Sequence, residues 1–395
     1  MLRPHTFAMT ALLAALTGLG PLTVDMYLAS LPDIGRTLAA PVAQVQLTIS
    51  VYLIGFALGQ MFYGPLSDRH GRRPVILAAL VIYSVASLAC AVAPSIELLI
   101  AARFWQAVGG AGAVVLARAV VRDLYEGARV GRELSLMASI MALAPIAAPL
   151  FGGVLQTAFG WRSNFVLLLI FGLAATTTVW LLFPETLRQR APEPVSLLSA
   201  LRAYRSFLRS GSFVAHLGIA TCAFLGLFAW ISTAAFILQD IYGLTALAFG
   251  ITVAFGAAGY MVGTTIAARV VIRWGIDRTI GAGCAGMAAG GVSMALLLAL
   301  GLDLPATLVL TMALYLAGMG MALPQAHAGA LLPFPERAGA ASSLVGLVQQ
   351  TSAAAIGALL GHLLGNTAWP LALSLAIVGC LALVVWALTR SVRAR

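Results

Sequence analysis

Apolar runs of eighteen or more residues recur along the chain, separated by short polar breaks. A run of that length crosses a bilayer as one helix. The pattern predicts twelve spans, at 7–30, 42–66, 75–93, 96–119, 133–156, 163–183, 213–238, 247–268, 279–300, 304–328, 338–364 and 368–389. The expected fold is therefore all-α: a polytopic membrane protein with twelve transmembrane helices. The run Gly64–Arg73 concentrates too much charge for a span and reads as a tight loop at a water interface. The only long polar connection, Pro184–Gly211, divides the chain into an amino-terminal six-helix bundle over 1–183, a cytoplasmic linker over 184–212 and a carboxy-terminal six-helix bundle over 213–395. Within the linker, Leu197, Leu198, Leu201, Tyr204 and Leu208 are interleaved with Arg202, Arg205 and Arg209. That pattern predicts an amphipathic helix over Val195–Arg209, lying on the inner leaflet.

The halves echo each other. Gly55, Gly59, Arg69 and Gly71 recur 204 residues later as Gly259, Gly263, Arg273 and Gly275. Ser135, Leu136, Leu155 and Trp161 recur 208 residues later as Ser343, Leu344, Leu363 and Trp369. A duplicated six-helix unit explains the order and the near-constant offset, and such units place a binding site near mid-membrane. The duplication fails at Asp68, whose partner is Ile272, and at Arg103, whose partner at an offset of 209 is Met312. Charge chemistry is thus expected in the first half.

Composition agrees with a membrane protein: 61% hydrophobic and 9% charged, against about a quarter charged in soluble domains. The net charge of +10 suggests nucleic acid until its placement is followed. All 23 basic residues are arginine, and with residue 1 inside only Arg36 and Arg162 fall on the outer face, with Arg103 inside a span. This is the positive-inside pattern, which places both termini in the cytoplasm and the basic excess against anionic headgroups rather than nucleic acid. The first span is expected to be retained rather than cleaved as a signal peptide, because eleven more follow. Cys90, Cys222, Cys284 and Cys380 lie in apolar runs without paired spacing, so neither disulfide nor metal is expected. The lack of a GxxxxGK[ST] run argues against ATP, and no cofactor is expected.

Of thirteen acidic residues, only Asp25 falls well inside a predicted span. An intramembrane charge costs at least ~2.5–3.5 kcal/mol, so it faces the protein and marks function. Arg103, on the antiparallel fourth span, reaches a similar depth and is the expected partner. Asp25 is read as the group that binds and releases a proton; a static ion pair between spans 1 and 4 is the plainer reading. Candidate pocket residues at mid-span are Tyr52, Phe56, Gln60, Gln106 and Met141 in the first half. In the second half they are Phe224, Phe228, Trp230, Phe255, Tyr315, Gln349 and Gln350. Buried glutamines need hydrogen bonds, so at least one of the Gln349/Gln350 pair is expected at a cavity. His327 is a possible second titratable group, though a structural histidine is the plainer reading.

The 64–73 run matches the GxLaDrxGrr signature of the major facilitator superfamily, and Leu99-Ile-Ala-Ala-Arg103-Phe-Trp-Gln106-Ala-Val-Gly109 matches its fourth-helix pattern. Val24-Asp25-Met-Tyr-Leu-Ala-Ser-Leu-Pro32 and Val121-Arg-Asp123-Leu-Tyr125 resemble the bicyclomycin-resistance and chloramphenicol/florfenicol-exporter family. Ala29-Ser30 replaces a common Pro-Ala there, and His327 stands where asparagine is common. Ala144-Pro145-Ile-Ala-Ala148-Pro149-Leu-Phe-Gly152-Gly153 resembles the fifth-helix antiporter motif, with a kink expected at Pro145 and Pro149.

The resemblance implies a proton-coupled antiporter exporting small amphipathic drugs across the bacterial inner membrane, a monomer with small-molecule drug and proton as its partners. It also implies a cytoplasmic gate built from Gly64, Asp68, Arg69, Gly71, Arg72 and Asp123. In that gate Arg72 pairs with Asp123 and Asp68 faces a helix end of the second half. The alternative on the same fold is a proton-coupled transporter of a metabolite or nutrient. An intramembrane enzyme lacks the paired catalytic groups it would need.

Overall fold

The structure is a computed structural model that describes residues 6–125, 129–130, 132–133, 136–137, 144–187, 204–334 and 337–393. Among the described residues there is no strand. The helices in chain order are α1 (Phe7–Asp25), α2 (Leu31–Thr37), α3 (Val42–His70), α4 (Arg72–Ala91), α5 (Ile96–Leu124), α6 (Ala144–Phe159) and α7 (Arg162–Leu182). They continue as α8 (Gly211–Ala235), α9 (Ala246–Ala299), α10 (Pro305–Leu331), α11 (Ala338–Leu363), α12 (Trp369–Leu388) and α13 (Arg390–Arg393).

Ten stretches of described residues are long and apolar enough to cross a membrane. One of them, the 54-residue α9, breaks at Gly275, where φ is 75°. At about 1.5 Å per residue it is far longer than a ~30 Å hydrocarbon core and supplies two passes. Helix α6, whose apolar part is Ala147–Phe159, follows residues 138–143, which lie outside the described set. The molecule is an all-α multi-pass membrane protein.

Contacts group the chain into two compact units, Met1–Val195 with Ala246–Gly250, and Ser196–Thr245 with Ile251–Arg395. Within the first unit α3 lies directly on α5, because a Cβ on Gly55 would come 2.7 Å from the Phe104 carbonyl and one on Gly59 2.7 Å from Ala111. Their partners in the repeat act alike in the second unit, where Gly259 and Gly263 let α9 lie on the Ala313 and Ala317 carbonyls of α10. Small residues allow such close approach in lipid, where packing replaces the hydrophobic drive. The turn 246–250 belongs with the first unit because its backbone lies on α6. A Cβ on Gly153 would stand 2.7 Å from the Ala246 carbonyl, and one on Gly250 2.6 Å from that of Pro149.

Two local expectations need correction. The Gly64–Arg73 run is not a tight loop throughout: α3 stays helical through His70 and only Gly71, at φ 103°, turns the chain before α4 begins at Arg72. Helical backbone satisfies itself on either side of a membrane surface, so polar side chains do not end a helix there. The linker differs as well. Residues 188–203 lie outside the described set, but in the helical turn 204–208 Phe207 is fully buried with Phe213 and Leu217. Its ring centroid is 4.7 Å from that of Phe334. Phe207 thus anchors this end of the linker in the second unit's core, while Leu208, on the expected lipid face, is 52% exposed.

Candidate functional site

The first transmembrane segment breaks at Asp25. That residue ends α1; Leu28–Ser30 forms a 3₁₀ turn and α2 restarts at Leu31, with Pro32 in its first turn. Pro21 cannot donate to the preceding turn, and the Thr17 and Thr23 hydroxyls bond back to the Leu13 and Leu19 carbonyls, at 2.8 and 2.5 Å. Both features loosen the ladder ahead of the break. Asp25 is half-buried at the end of this helix.

Arg103 on α5 is fully buried, 0% exposed. Its Nη1 donates to the Thr23 carbonyl at 3.3 Å and to Gln106 Oε1 at 2.6 Å. The guanidinium carbon lies 4.3 Å from the ring centres of both Tyr27 and Tyr52, and 5.8 Å from that of Phe165. The ion pairs of the described residues do not include one between Arg103 and Asp25. The expected pairing is thus replaced by a cation held between aromatic faces and bonded to an end carbonyl of the broken helix, two residues before Asp25. Both contacts suit an arginine: ring faces attract the cation, and helix C-terminal carbonyls carry partial negative charge.

A buried polar chain surrounds this cation. Gln106 Nε2 donates to Ser87 Oγ at 2.8 Å, and Ser87 donates to the Tyr83 carbonyl at 2.7 Å. The Tyr83 and Thr23 hydroxyls share a 2.7 Å bond, and those of Tyr27 and Thr48 one of 2.8 Å. Asn164 Nδ2 on α7 donates to Ser30 at 2.9 Å, just past the break. Sequence reading found Arg103, Tyr52 and Gln106 but missed Tyr27, Thr23 and Tyr83, whose side chains are common in ordinary spans.

The remaining first-half candidates are scattered. Phe56 stacks on Tyr52 with centroids 6.1 Å apart and covers Gly20 of α1. Gln60 is half-buried. Met141 lies outside the described residues, and of the fifth-helix motif Pro149 stands inside a helix continuous from Ala144 to Phe159, as does Pro145. Glu133, at the start of a predicted span, is an acid whose burial the sequence did not single out. It is 8% exposed and accepts a 2.6 Å bond from the Thr10 hydroxyl on α1.

In the second unit Phe228 and Trp230 are buried on α8, and Phe224 packs on Phe228 with centroids 4.7 Å apart. Phe255 is 50% exposed. Tyr315 is fully buried with its hydroxyl against Gly226. Gln349 donates to the Ala220 carbonyl at 3.0 Å and accepts from His327 Nε2 at 3.2 Å. A carbonyl only accepts, so this amide's orientation places the histidine proton on Nε2. Gln350 is half-buried.

At the Gly71 turn the structure brings the expected charges together. Arg72 Nε lies 2.8 Å from Asp123 Oδ2 and its Nη1 lies 2.6 Å from Asp68. Asp68 thus turns to Arg72 from the last turn of α3. Arg69 is exposed beside it, and Gly64 has open space around it. The carboxylate that caps α4 is Glu185, just past α7. It accepts from the Arg72 and Arg73 amides at 2.9 and 3.2 Å.

Arg393 lies 208 residues after Glu185. Its Nε donates to Asp277, two residues past the Gly275 break, at 2.8 Å. Each unit thus ends in a charged residue that grips its own third helix, with the signs reversed. Glu185→Gln is expected to weaken the α4 cap by about 1 kcal/mol. That appears as a melting temperature lower by a few degrees, checked by thermal unfolding in detergent; an unchanged value would show that the grip contributes nothing.

An all-α, multi-pass protein with a buried cation beside a helix break and a charged turn at one membrane face has the build of a membrane transporter. A model of the Major Facilitator Superfamily matches residues 13–356. The chain belongs to that superfamily and is a transporter rather than an enzyme. It is 33% identical to an uncharacterized MFS-type transporter, YdgK, of Bacillus subtilis, over 90% of this chain and 88% of the relative. It is 30% identical to a chloramphenicol resistance protein of Pseudomonas aeruginosa, over 95% and 88% of the two chains. A solved D-xylose-proton symporter shares the fold at a TM-score of 0.76, with 16% identity over 97% of each chain.

Proposed function

We propose that this chain is a proton-coupled antiporter that exports small amphipathic drugs of the phenicol or bicyclomycin kind from the bacterial cytoplasm. It acts as a monomer in the inner membrane with both termini inside. The observation that carries the reading is the half-buried Asp25 at the break in the first segment, beside a buried arginine that has no ion pair among the described residues. In this reading Asp25 takes a proton from outside and releases it inside, while Arg103 holds the break through the Thr23 carbonyl and supplies the positive field that favours release. The Arg72–Asp123–Asp68 cluster forms and breaks as access alternates. The name of the Pseudomonas aeruginosa relative supports the substrate class.

One proton crossing ~100 mV supplies about 2.3 kcal/mol, a gradient of roughly fiftyfold for a neutral drug. Asp25→Asn is expected to reduce that gradient to near one while leaving downhill exchange in place. The measurement is chloramphenicol efflux from pump-deleted cells or proteoliposomes, with the pH gradient varied. Full pH-driven export by Asp25→Asn would end the proton assignment. If wild-type cells gained no resistance to phenicols, bicyclomycin or dyes yet took up a sugar or amino acid, the drug assignment would fall instead.

A further inference from the structure

A groove of about 600 Å³ runs along the outside of the first unit, between α3, α4 and α5. Its α3 wall is the stripe Leu58, Phe62, Leu66 and His70, at helical spacing, and Ala78 and Ile82 line it from α4. Phe62 is 62% exposed and Trp105, at the deep end, 55%, although both rings are large and apolar. An exposed apolar groove of this kind has a hydrocarbon partner. From Leu58 to His70 the α3 stripe rises about 18 Å, close to the ~15 Å of one leaflet's hydrocarbon.

The groove is apolar until it reaches the membrane face at Gly71, where basic groups stand. His70 lines that end and Arg69, next in the helix, is exposed. The described ion pairs of this turn go to Arg72, and His70 uses Nδ1 to donate to the Leu66 carbonyl at 3.0 Å. The Arg69 guanidinium therefore stands where a headgroup meets one acyl chain in the groove. We infer that this groove binds one anionic phospholipid of the leaflet on the Gly71 side, with an acyl chain between α3 and α4 and its phosphate at Arg69. Basic pockets between transmembrane helices take acidic headgroups in this way.

The experiment is native mass spectrometry of the purified full chain with 1-palmitoyl-2-oleoyl phosphatidylglycerol or the phosphatidylcholine of the same chains. Wild type is expected to retain one phosphatidylglycerol in preference to phosphatidylcholine. Arg69→Gln is expected to reduce that preference about fivefold, the effect of one basic residue at an anionic surface. Ala78→Phe fills the groove from an exposed position and is expected to release both lipids while the protein stays folded. Equal retention of the two lipids by wild type overturns the inference, as does an undiminished preference in Arg69→Gln or undisturbed binding in Ala78→Phe. Lipid retention is read without transport, so failure here leaves the export reading standing, and the reverse.

Discussion

Gly152→Ala is expected to abolish transport and to destabilise the fold. A Cβ at that position would stand 1.8 Å from the Met26 carbonyl oxygen and 2.7 Å from its carbon, with the Met26 Cα at 3.0 Å. All three are backbone atoms, so no side chain can swing aside to make room. Met26 directly follows Asp25, at the break in the first segment. Helix α6 therefore supports the bend that carries the candidate proton site, and it does so through the absence of a side chain. Overpacking of a tight core costs about 1–3 kcal/mol, and here relief requires moving either α6 or the break itself. Thermal unfolding should show a fall of several degrees, and drug efflux should drop to the vector background even at matched protein levels. Gly18→Ala is the matched control, because a Cβ there meets nothing within 4 Å. A Gly152→Ala protein with wild-type melting and efflux would mean that the close contact plays no part.

This contact shows what could be read from the chain and what could not. The Gly152-Gly153 pair was visible as a motif, but its use became visible only with the Met26 carbonyl beside it. The membrane-crossing helices among the described residues were legible because hydropathy averaged over eighteen residues is a strong signal and lipid forbids the alternatives. The repeat was legible too, since glycines at a helix crossing tolerate no substitute; a Cβ on Gly55 or Gly259 would stand 2.7 or 2.6 Å from a carbonyl oxygen.

Polar contacts between helices were harder, because an averaged hydropathy does not say which face a side chain takes. Glu133 was assigned to a span end, yet it bonds to Thr10, which is 123 residues away. Glu185 passed for an ordinary loop acid until the α4 amides were found beside it, although its 208-residue offset from Arg393 was available. The Arg72 and Asp123 contact was expected from the resemblance alone. Arg103 was expected to pair with Asp25 but bonds to the Thr23 carbonyl and Gln106 instead. Opposite charges at equal depth suggest an ion pair, and tyrosines at Tyr27 and Tyr52 gave no sign that two ring faces would take the cation instead.

That environment makes Arg103→Met the second large expectation. A full positive charge buried without a carboxylate is costly, and replacing buried charge by an apolar side chain of similar size is often neutral or stabilising. Against this stand two acceptors left without their donor, the Thr23 carbonyl and Gln106 Oε1, at about 1–3 kcal/mol each. The opposing terms are of similar size, so the melting temperature of Arg103→Met should stay within a few degrees of wild type. Export should not survive. The charge-assisted bond to the Thr23 carbonyl holds the end of the helix beside Asp25, and losing one such bond of about 1.5–3 kcal/mol corresponds to a ten- to hundredfold loss. Arg103→Lys should fare little better. A compact ammonium cannot lie flat between two rings and still reach both acceptors. The separation of stability from transport is what distinguishes a positioning arginine from a structural one, which would lose both together. Chloramphenicol efflux and thermal unfolding on the same preparations decide it: an Arg103→Met protein that exports at the wild-type rate means that the buried cation takes no part in coupling.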